Sequence, residues 1–166
     1  MDFHLRPATE NDIPAILAIY NHAVLTTTAS YDTEPEALAV REEWFHEHQA
    51  HGFPVLVAER AGGSEVVGWG SLGQFRSKSG YRYTVENSLY ISEVERGKGL
   101  GKLLLAALIE EARRLGFHAI VAGIDSEAHV SLRLHERAGF VQVGYLPEVG
   151  FKFDRWLDVV FMELRL

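Results

Sequence analysis

The sequence predicts an α/β fold, a mixed central sheet of about seven strands flanked by four helices. Three observations predict it. Apolar residues switch repeatedly between the alternation of a strand and the spacing of a helix face along the 166 residues. A glycine-rich turn, Gly97-Lys98-Gly99-Leu100-Gly101, joins a strand pattern directly to a long apolar helix pattern. No linker, repeat or low-complexity tract interrupts the order, as expected of one domain over residues 1–166.

The elements follow in chain order. Residues 2–8, DFHLRPA, read as a first strand. Thr9 to Asp12 then offers a helix start, with Ile13, Ile16, Leu17, Tyr20 and Val24 at helical spacing. LTTTASYD (25–32) is rich in β-branched and small polar residues and ends that helix. Thr33 and Glu36 stand at capping-box spacing with Pro35 between them, which predicts a second helix to about residue 50. FPVLVAER (53–60), the turn Ala61-Gly62-Gly63-Ser64 and residues 65–75 predict a hairpin. A polar segment, RSKSGYR, precedes a fourth strand over 83–92. The third helix spans about 99–115, with Leu100, Leu103, Leu104, Ala107, Leu108, Ala112 and Leu115 facing inward and Gly116 ending it. A strand over 118–124, a short helix over 128–139 and strands over 140–146 and 152–166 close the chain.

Composition excludes several functions. Sixteen basic against twenty-three acidic residues give −7, unlike the basic face of a nucleic-acid binder. With no cysteine there is no disulfide, thiolate metal site or thiol nucleophile. The opening MDFHLRPATEND has no apolar signal-peptide core and no run approaches a membrane span, so a cytoplasmic protein without a membrane partner is expected. In HEHQAH (46–51) only His48 and His51 share a helix face and no carboxylate joins them, so a solvated helix end is expected and no metal.

The glycine loop is different. A helix that begins after a glycine turn leaves N–H groups aimed at one spot, and its dipole favours negative charge there. Gly97, Gly99 and Gly101 permit close backbone approach and positive φ, while Arg96, Lys98 and Lys102 add charge. The fitting guest is a phosphate or diphosphate. A Walker loop would need glycine where Arg96 stands and Ser or Thr where Leu103 stands; a dinucleotide fingerprint would need glycine at Lys102. The spacing that holds is R-x-x-G-x-G, from Arg96 to Gly101.

That loop, between a strand and a helix, resembles the signature of the GNAT superfamily of acetyl-CoA-dependent N-acetyltransferases. The likeness runs over the chain and includes S-x-x-L-H-E-x-x-G-F from Ser131 to Phe140. TTTASYDTEP, GYRYTVENSLYIS, AGIDSE, LHERAGF and GFKFDRWLDVVFM, in that order, are similar to the phosphinothricin/methionine sulfoximine acetyltransferase branch. The resemblance implies the GNAT (acyl-CoA N-acyltransferase) fold and acetyl-CoA as cosubstrate. It places the coenzyme diphosphate on Arg96, Gly97, Lys98, Gly99, Leu100, Gly101 and Lys102, and the pantetheine arm along Leu89, Tyr90 and Ile91.

Acetyl transfer to an amine needs a base, a polarised carbonyl, a proton for the leaving thiolate and close juxtaposition. Glu86 shares a strand face with Thr84, Ser88 and Tyr90; by pattern it is equally a base or a solvent-facing glutamate. The resemblance implies a catalytic glutamate at this T-x-E position, and a histidine, here His135, near the thioester sulfur as acid or positioning group. It implies that Tyr31, Arg76, Lys78 and Tyr81 line the acceptor pocket. Arg82 extends a basic segment suited to carboxylates or phosphinates. Three positions depart from the family. Lys78 stands where herbicide-specific members carry arginine, with Arg82 at a position that is not basic in them, and Ala128 stands where many members place an asparagine on the coenzyme, so either Glu127, His129 or Ser131 makes that contact or coenzyme affinity is lower.

The activity so implied is direct acetylation of the α-amino group of a small amino acid or analogue, by a homodimer whose two-fold pairing covers the C-terminal strand. The alternatives are another amine, such as a protein N-terminus or an aminoglycoside, and a non-catalytic acyl-CoA-binding module.

Overall fold

The protein is described by a computed structural model covering residues 3–166. Asp2, where the first strand is expected to begin, lies outside the described residues. β1 is Phe3–Pro7 and α1 is Ile13–Thr26. Asp12 fixes the start of α1. It accepts the Thr9 main-chain N–H at 2.7 Å and both Arg6 guanidinium nitrogens at 2.7 and 2.8 Å. A carboxylate at a helix N-terminus is favoured by the dipole and by the unpaired N–H groups there. The Arg6 hydrogen bonds hold the Asp12 carboxyl at about 2, well below its ordinary value.

α2 is Leu38–His51 and does not begin at the expected capping box. Glu36 is engaged elsewhere. Its main-chain N–H donates to Asn21 Oδ1 at 2.8 Å, and its carboxylate pairs with the buried Arg41 at 2.7 Å. Tertiary partners thus take the glutamate that local spacing assigns to Thr33. Arg41 lies over the Tyr20 ring, 4.1 Å from its centroid, a cation–π contact in a dry setting.

The remaining elements are β2 (Val55–Arg60), β3 (Val66–Gln74), β4 (Thr84–Ile91), α3 (Leu100–Arg114), β5 (Ala119–Asp125), α4 (His129–Arg137), β6 (Val141–Lys152) and β7 (Arg155–Arg165). They form a seven-stranded mixed sheet in the order β1-β2-β3-β4-β5-β7-β6, with β4 and β5 parallel and the other pairs antiparallel. One core lies between the sheet and α3, where Leu104, Leu105, Leu108 and Ala112 are fully buried. A second joins α1 and α2 to the opposite face through Ile16, Phe45, Val57 and Trp69. The buried stripe of α3 differs slightly from the expected one. Leu105 and Ile109 are buried, Leu103 and Ala107 are partly buried, and Leu115 is 38% exposed because the helix ends at Arg114.

The C-terminal hairpin differs more. β7 is flanked by β5 and β6, so the edge is β6 and not the C-terminal strand. β6 runs on through Pro147 to Lys152, which is expected to begin the next strand. An edge strand tolerates proline because its outward N–H needs no partner. The chain reverses at Phe153 and Asp154, both at positive φ (53° and 56°), a primed two-residue turn without glycine.

Candidate active site

β4 and β5 are paired only from Thr84–Glu86 to Ala119–Val121; beyond that the two parallel strands part. The other side of β4 stays bonded to β3 as far as Ile91. The β5-facing backbone of residues 87–91 is therefore left open by the sheet itself. A cavity of about 390 Å³ occupies the gap.

Strand alternation sends Glu86 and Asn87 to opposite faces at the point of parting. Glu86 shares its face with Tyr90, which packs on Tyr20 of α1 and Trp69. Asn87 shares its face with Leu89 and Ile91, which pack into the α3 core. The cavity is lined from both sides, by Thr27–Tyr31 after α1 and by Ala128, Ser131 and His135 of the α4 region. It therefore connects the two faces of the sheet.

Glu86 is half-buried, and its Oε1 lies 3.5 Å from where a side chain on Gly123 of β5 would begin. Burial pushes its pKa above the ordinary carboxylate value, and the charge of Arg76 opposes that shift. Such a carboxylate is poised to take a proton.

His135 is 2% exposed. Its Nδ1 lies 2.9 Å from the Ser131 carbonyl and its Nε2 lies 3.0 Å from Asn87 Nδ2. A carbonyl only accepts, so Nδ1 carries the proton and Nε2 accepts from the amide. Burial lowers the pKa below 6.5, which keeps the ring neutral. Asn87 is absent from the sequence-based candidates. Its signal is a polar side chain on the otherwise apolar face of Val85, Leu89 and Ile91.

At the loop, Gly97 and Gly99 have φ of 79° and 86°, where a side chain is strained. Gly99 caps α3, and the first bond back to it comes from the Lys102 N–H at 3.1 Å. The N–H groups of the first turn lack intrahelical partners, as in any helix, and nothing lies within 4 Å of where a side chain on Gly97 or Gly99 would begin. Gly101 does not adopt positive φ. It lies within α3, where a Cβ would crowd Leu134 and Ile91 at 3.2 and 3.3 Å, so its smallness serves packing. Lys98 turns back to Glu95 at 3.2 Å, and Glu95, itself buried, also holds Arg60 at 2.5 Å. Arg96 and Lys102 are exposed, with Arg96 Nε donating to the Ile91 carbonyl at 3.4 Å. Cations and open N–H groups fit a diphosphate, and the open edge of Leu89, Tyr90 and Ile91 fits an amide-bearing arm.

The other predicted residues divide. Tyr31 lines the cavity and donates its hydroxyl to Asp125 at 3.1 Å. Arg76, Lys78, Tyr81 and Arg82 are exposed and outside the cavity wall. Arg76 lies over Phe75, Tyr81 meets the edge of the same ring, and Arg82 lies over Tyr83. Ser131 and Ala128 are in the wall, whereas Glu127 is tied to Arg155 at 2.5 Å. His48 and His51 each donate Nδ1 to the carbonyl four residues back, at 2.9 and 2.8 Å. A larger cavity, about 610 Å³, lies between α2, β1 and the end of α3. Neither Glu86 nor His135 is in its wall, and both line the gap between β4 and β5, which is the candidate site.

The sequence model described as "Acetyltransferase (GNAT) family" matches residues 16–140. The chain belongs to the GNAT acetyltransferase family. Among its GNAT relatives, an "L-methionine sulfoximine/L-methionine sulfone acetyltransferase" of Pseudomonas aeruginosa is 49% identical over all of this chain and 96% of its own. A solved "phosphinothricin acetyltransferase" of Sinorhizobium meliloti in complex with AcCoA superposes with a TM-score of 0.96 at 37% identity, covering 100% of this chain and 89% of that one. A solved "Ribosomal-protein-alanine N-acetyltransferase" of Brucella melitensis gives 0.95 at 47% identity, covering 98% and 99%. The GNAT fold expected from the sequence, with seven strands and four helices, is the fold observed.

Proposed function

We propose that this GNAT enzyme transfers the acetyl group of acetyl-CoA to the α-amino group of a small amino acid or analogue of the methionine sulfone, methionine sulfoximine or phosphinothricin type. One observation carries the reading. The strands part immediately after Glu86, so a carboxylate of raised pKa stands in a cavity open to both faces of the sheet. The names of the relatives supply the acceptor class.

In this reading the coenzyme lies on the α3–α4 face. Main-chain N–H groups of residues 97–101 hold its diphosphate, assisted by Arg96 and Lys102, while Lys98 sets the loop through Glu95. Leu89, Tyr90 and Ile91 pair with the pantetheine arm, and Ser131 lies beside it. When bound, acetyl-CoA supplies an activated acetyl thioester. The acceptor lies on the α1 face against Tyr31. Glu86 takes the proton of its ammonium, directly or through one water; the amine so freed would form the amide bond as the thioester C–S bond breaks, and the departing thiolate would take its proton from solvent. His135 is neutral and held by two hydrogen bonds, so it orders Asn87 and the thioester side of the cavity and is no ready proton donor at neutral pH. Arg76, whose charge reaches Glu86 from outside the cavity wall, attracts the acceptor's anionic group at range together with Lys78 and Arg82, and Tyr81 braces Phe75. Much of the rate comes from juxtaposition.

Residues 1–166 act as one catalytic domain, and its place of work is the cytoplasm. Two copies pair through β6. Val141, Val143, Tyr145, Val149 and Phe151 are each about half exposed on this edge strand, a liability that a second copy removes.

A second reading follows from the Brucella relative, acetylation of a protein N-terminus. Thiol release from acetyl-CoA, measured across methionine sulfone, methionine sulfoximine, phosphinothricin, an alanine-first peptide and an aminoglycoside, tests both. Release with the amino-acid analogues is expected. Release with the peptide alone supports the second reading, and tight coenzyme binding without release means a non-catalytic module.

A further inference from the structure

Lys152, at the end of β6, is 3% exposed, yet no step above uses it. Its Nζ donates to two main-chain carbonyls, Thr27 at 2.9 Å and Ser30 at 2.7 Å. A buried ammonium is costly unless its donors are satisfied, so a lysine here needs something to hold. What it holds is the irregular segment after α1, the stretch that forms the α1-side wall of the cavity.

The same hairpin grips that segment twice more. The Tyr31 ring lies against Gly150 so closely that a Cβ there would overlap it. The Tyr31 hydroxyl approaches the Asp158 carbonyl of β7 at 3.3 Å as well as Asp125. From its own side the segment is held by Tyr20, whose hydroxyl meets Ser30 Oγ at 3.0 Å, and by Tyr90, whose hydroxyl donates to the Ala29 carbonyl at 3.4 Å. Lys152 is the link that ties its main chain to β6.

We propose that Lys152 is a positioning residue for the acceptor. By holding the carbonyls of Thr27 and Ser30 it seats Tyr31 on Gly150 and sets acceptor affinity without touching acceptor or coenzyme. The proposal rests on reading the cavity as the acceptor site.

Steady-state kinetics with acetyl-CoA and methionine sulfone, and hydrogen exchange along the whole chain, are compared for the parent, Lys152→Met, Lys152→Arg and Gly150→Ala. Lys152→Met is expected to raise acceptor KM about tenfold or more, as loss of charge-assisted bonds should, with acetyl-CoA KM changed by less than about twofold. Exchange should quicken selectively over residues 27–32, and Lys152→Arg should recover most of the loss. Equal changes in both KM values, or lost thermal stability with acceptor KM unchanged, would make Lys152 a general brace and overturn the proposal. If Lys152→Met does not fold, Gly150→Ala, which must displace the Tyr31 ring, carries the same expectation and the same contrary result. If the parent acetylates no amino-acid acceptor, the reading of the cavity fails. Exchange alone then decides for Lys152: selective loosening of 27–32 supports it, and uniform or absent loosening overturns it.

Discussion

Asn87 Nδ2 and His135 Nε2 lie 3.0 Å apart, across 48 residues of sequence, and this contact fixes the state of the imidazole. With the Ser131 carbonyl occupying Nδ1, the ring is the Nδ1–H tautomer. Nitrogen-15 NMR should report that tautomer at pH 7 and titration below the ordinary 6.5, because burial disfavours the cation. Asn87→Asp replaces the donor with a carboxylate and should raise the His135 pKa. An Nε2–H ring in the parent contradicts the assignment.

Glu86→Gln should lower turnover about a hundredfold or more, the usual worth of a positioned base, with acetyl-CoA affinity unchanged. In the parent, acceptor kcat/KM should rise with pH through an apparent pKa above 4.5. Burial favours the neutral acid, so its stabilising effect is complete below the ordinary pKa and lost as pH rises through the raised one. Glu86→Gln should therefore match the parent's thermal stability in acid and exceed it at neutral pH. A mutant as active as the parent across pH removes Glu86 from the base role.

Gly99→Ala places a Cβ at φ 86°, which costs about 1–2 kcal/mol of strain for an L-residue, although no atom lies within 4 Å to clash. Relief of that strain turns the N–H groups of the loop. Acetyl-CoA KM should rise while acceptor KM holds, and a rise confined to the acceptor contradicts the loop's role.

The exposed row on β6 predicts self-association. Sedimentation should find a dimer, and Val143→Lys, a charge on an edge strand, should shift it towards monomer. A parent that sediments as a monomer at all concentrations excludes pairing through this edge.

Local patterns made much of this legible. The glycine loop and the amphipathic α3 each announce themselves within a short stretch, whereas the parting of β4 from β5 joins residues far apart in sequence. Partnerships across the chain do not. Glu36 leaves its capping box for Asn21 and Arg41, and Asn87 finds His135 only through the sheet. Lys152 reads as the start of a strand because the primed turn after it uses Phe153 and Asp154 in place of glycine. The basic segment illustrates the converse: Arg76, Lys78 and Arg82 look like a clamp in sequence, and in the fold their side chains lie on aromatic rings or in solvent outside the cavity wall.

The most direct test of the account is a crystal structure with coenzyme A bound. The diphosphate should lie within hydrogen-bonding distance of main-chain N–H groups between Gly97 and Gly101, with the thiol end beside His135 and Glu86 across the gap. A diphosphate bound elsewhere, with those N–H groups facing solvent, contradicts it.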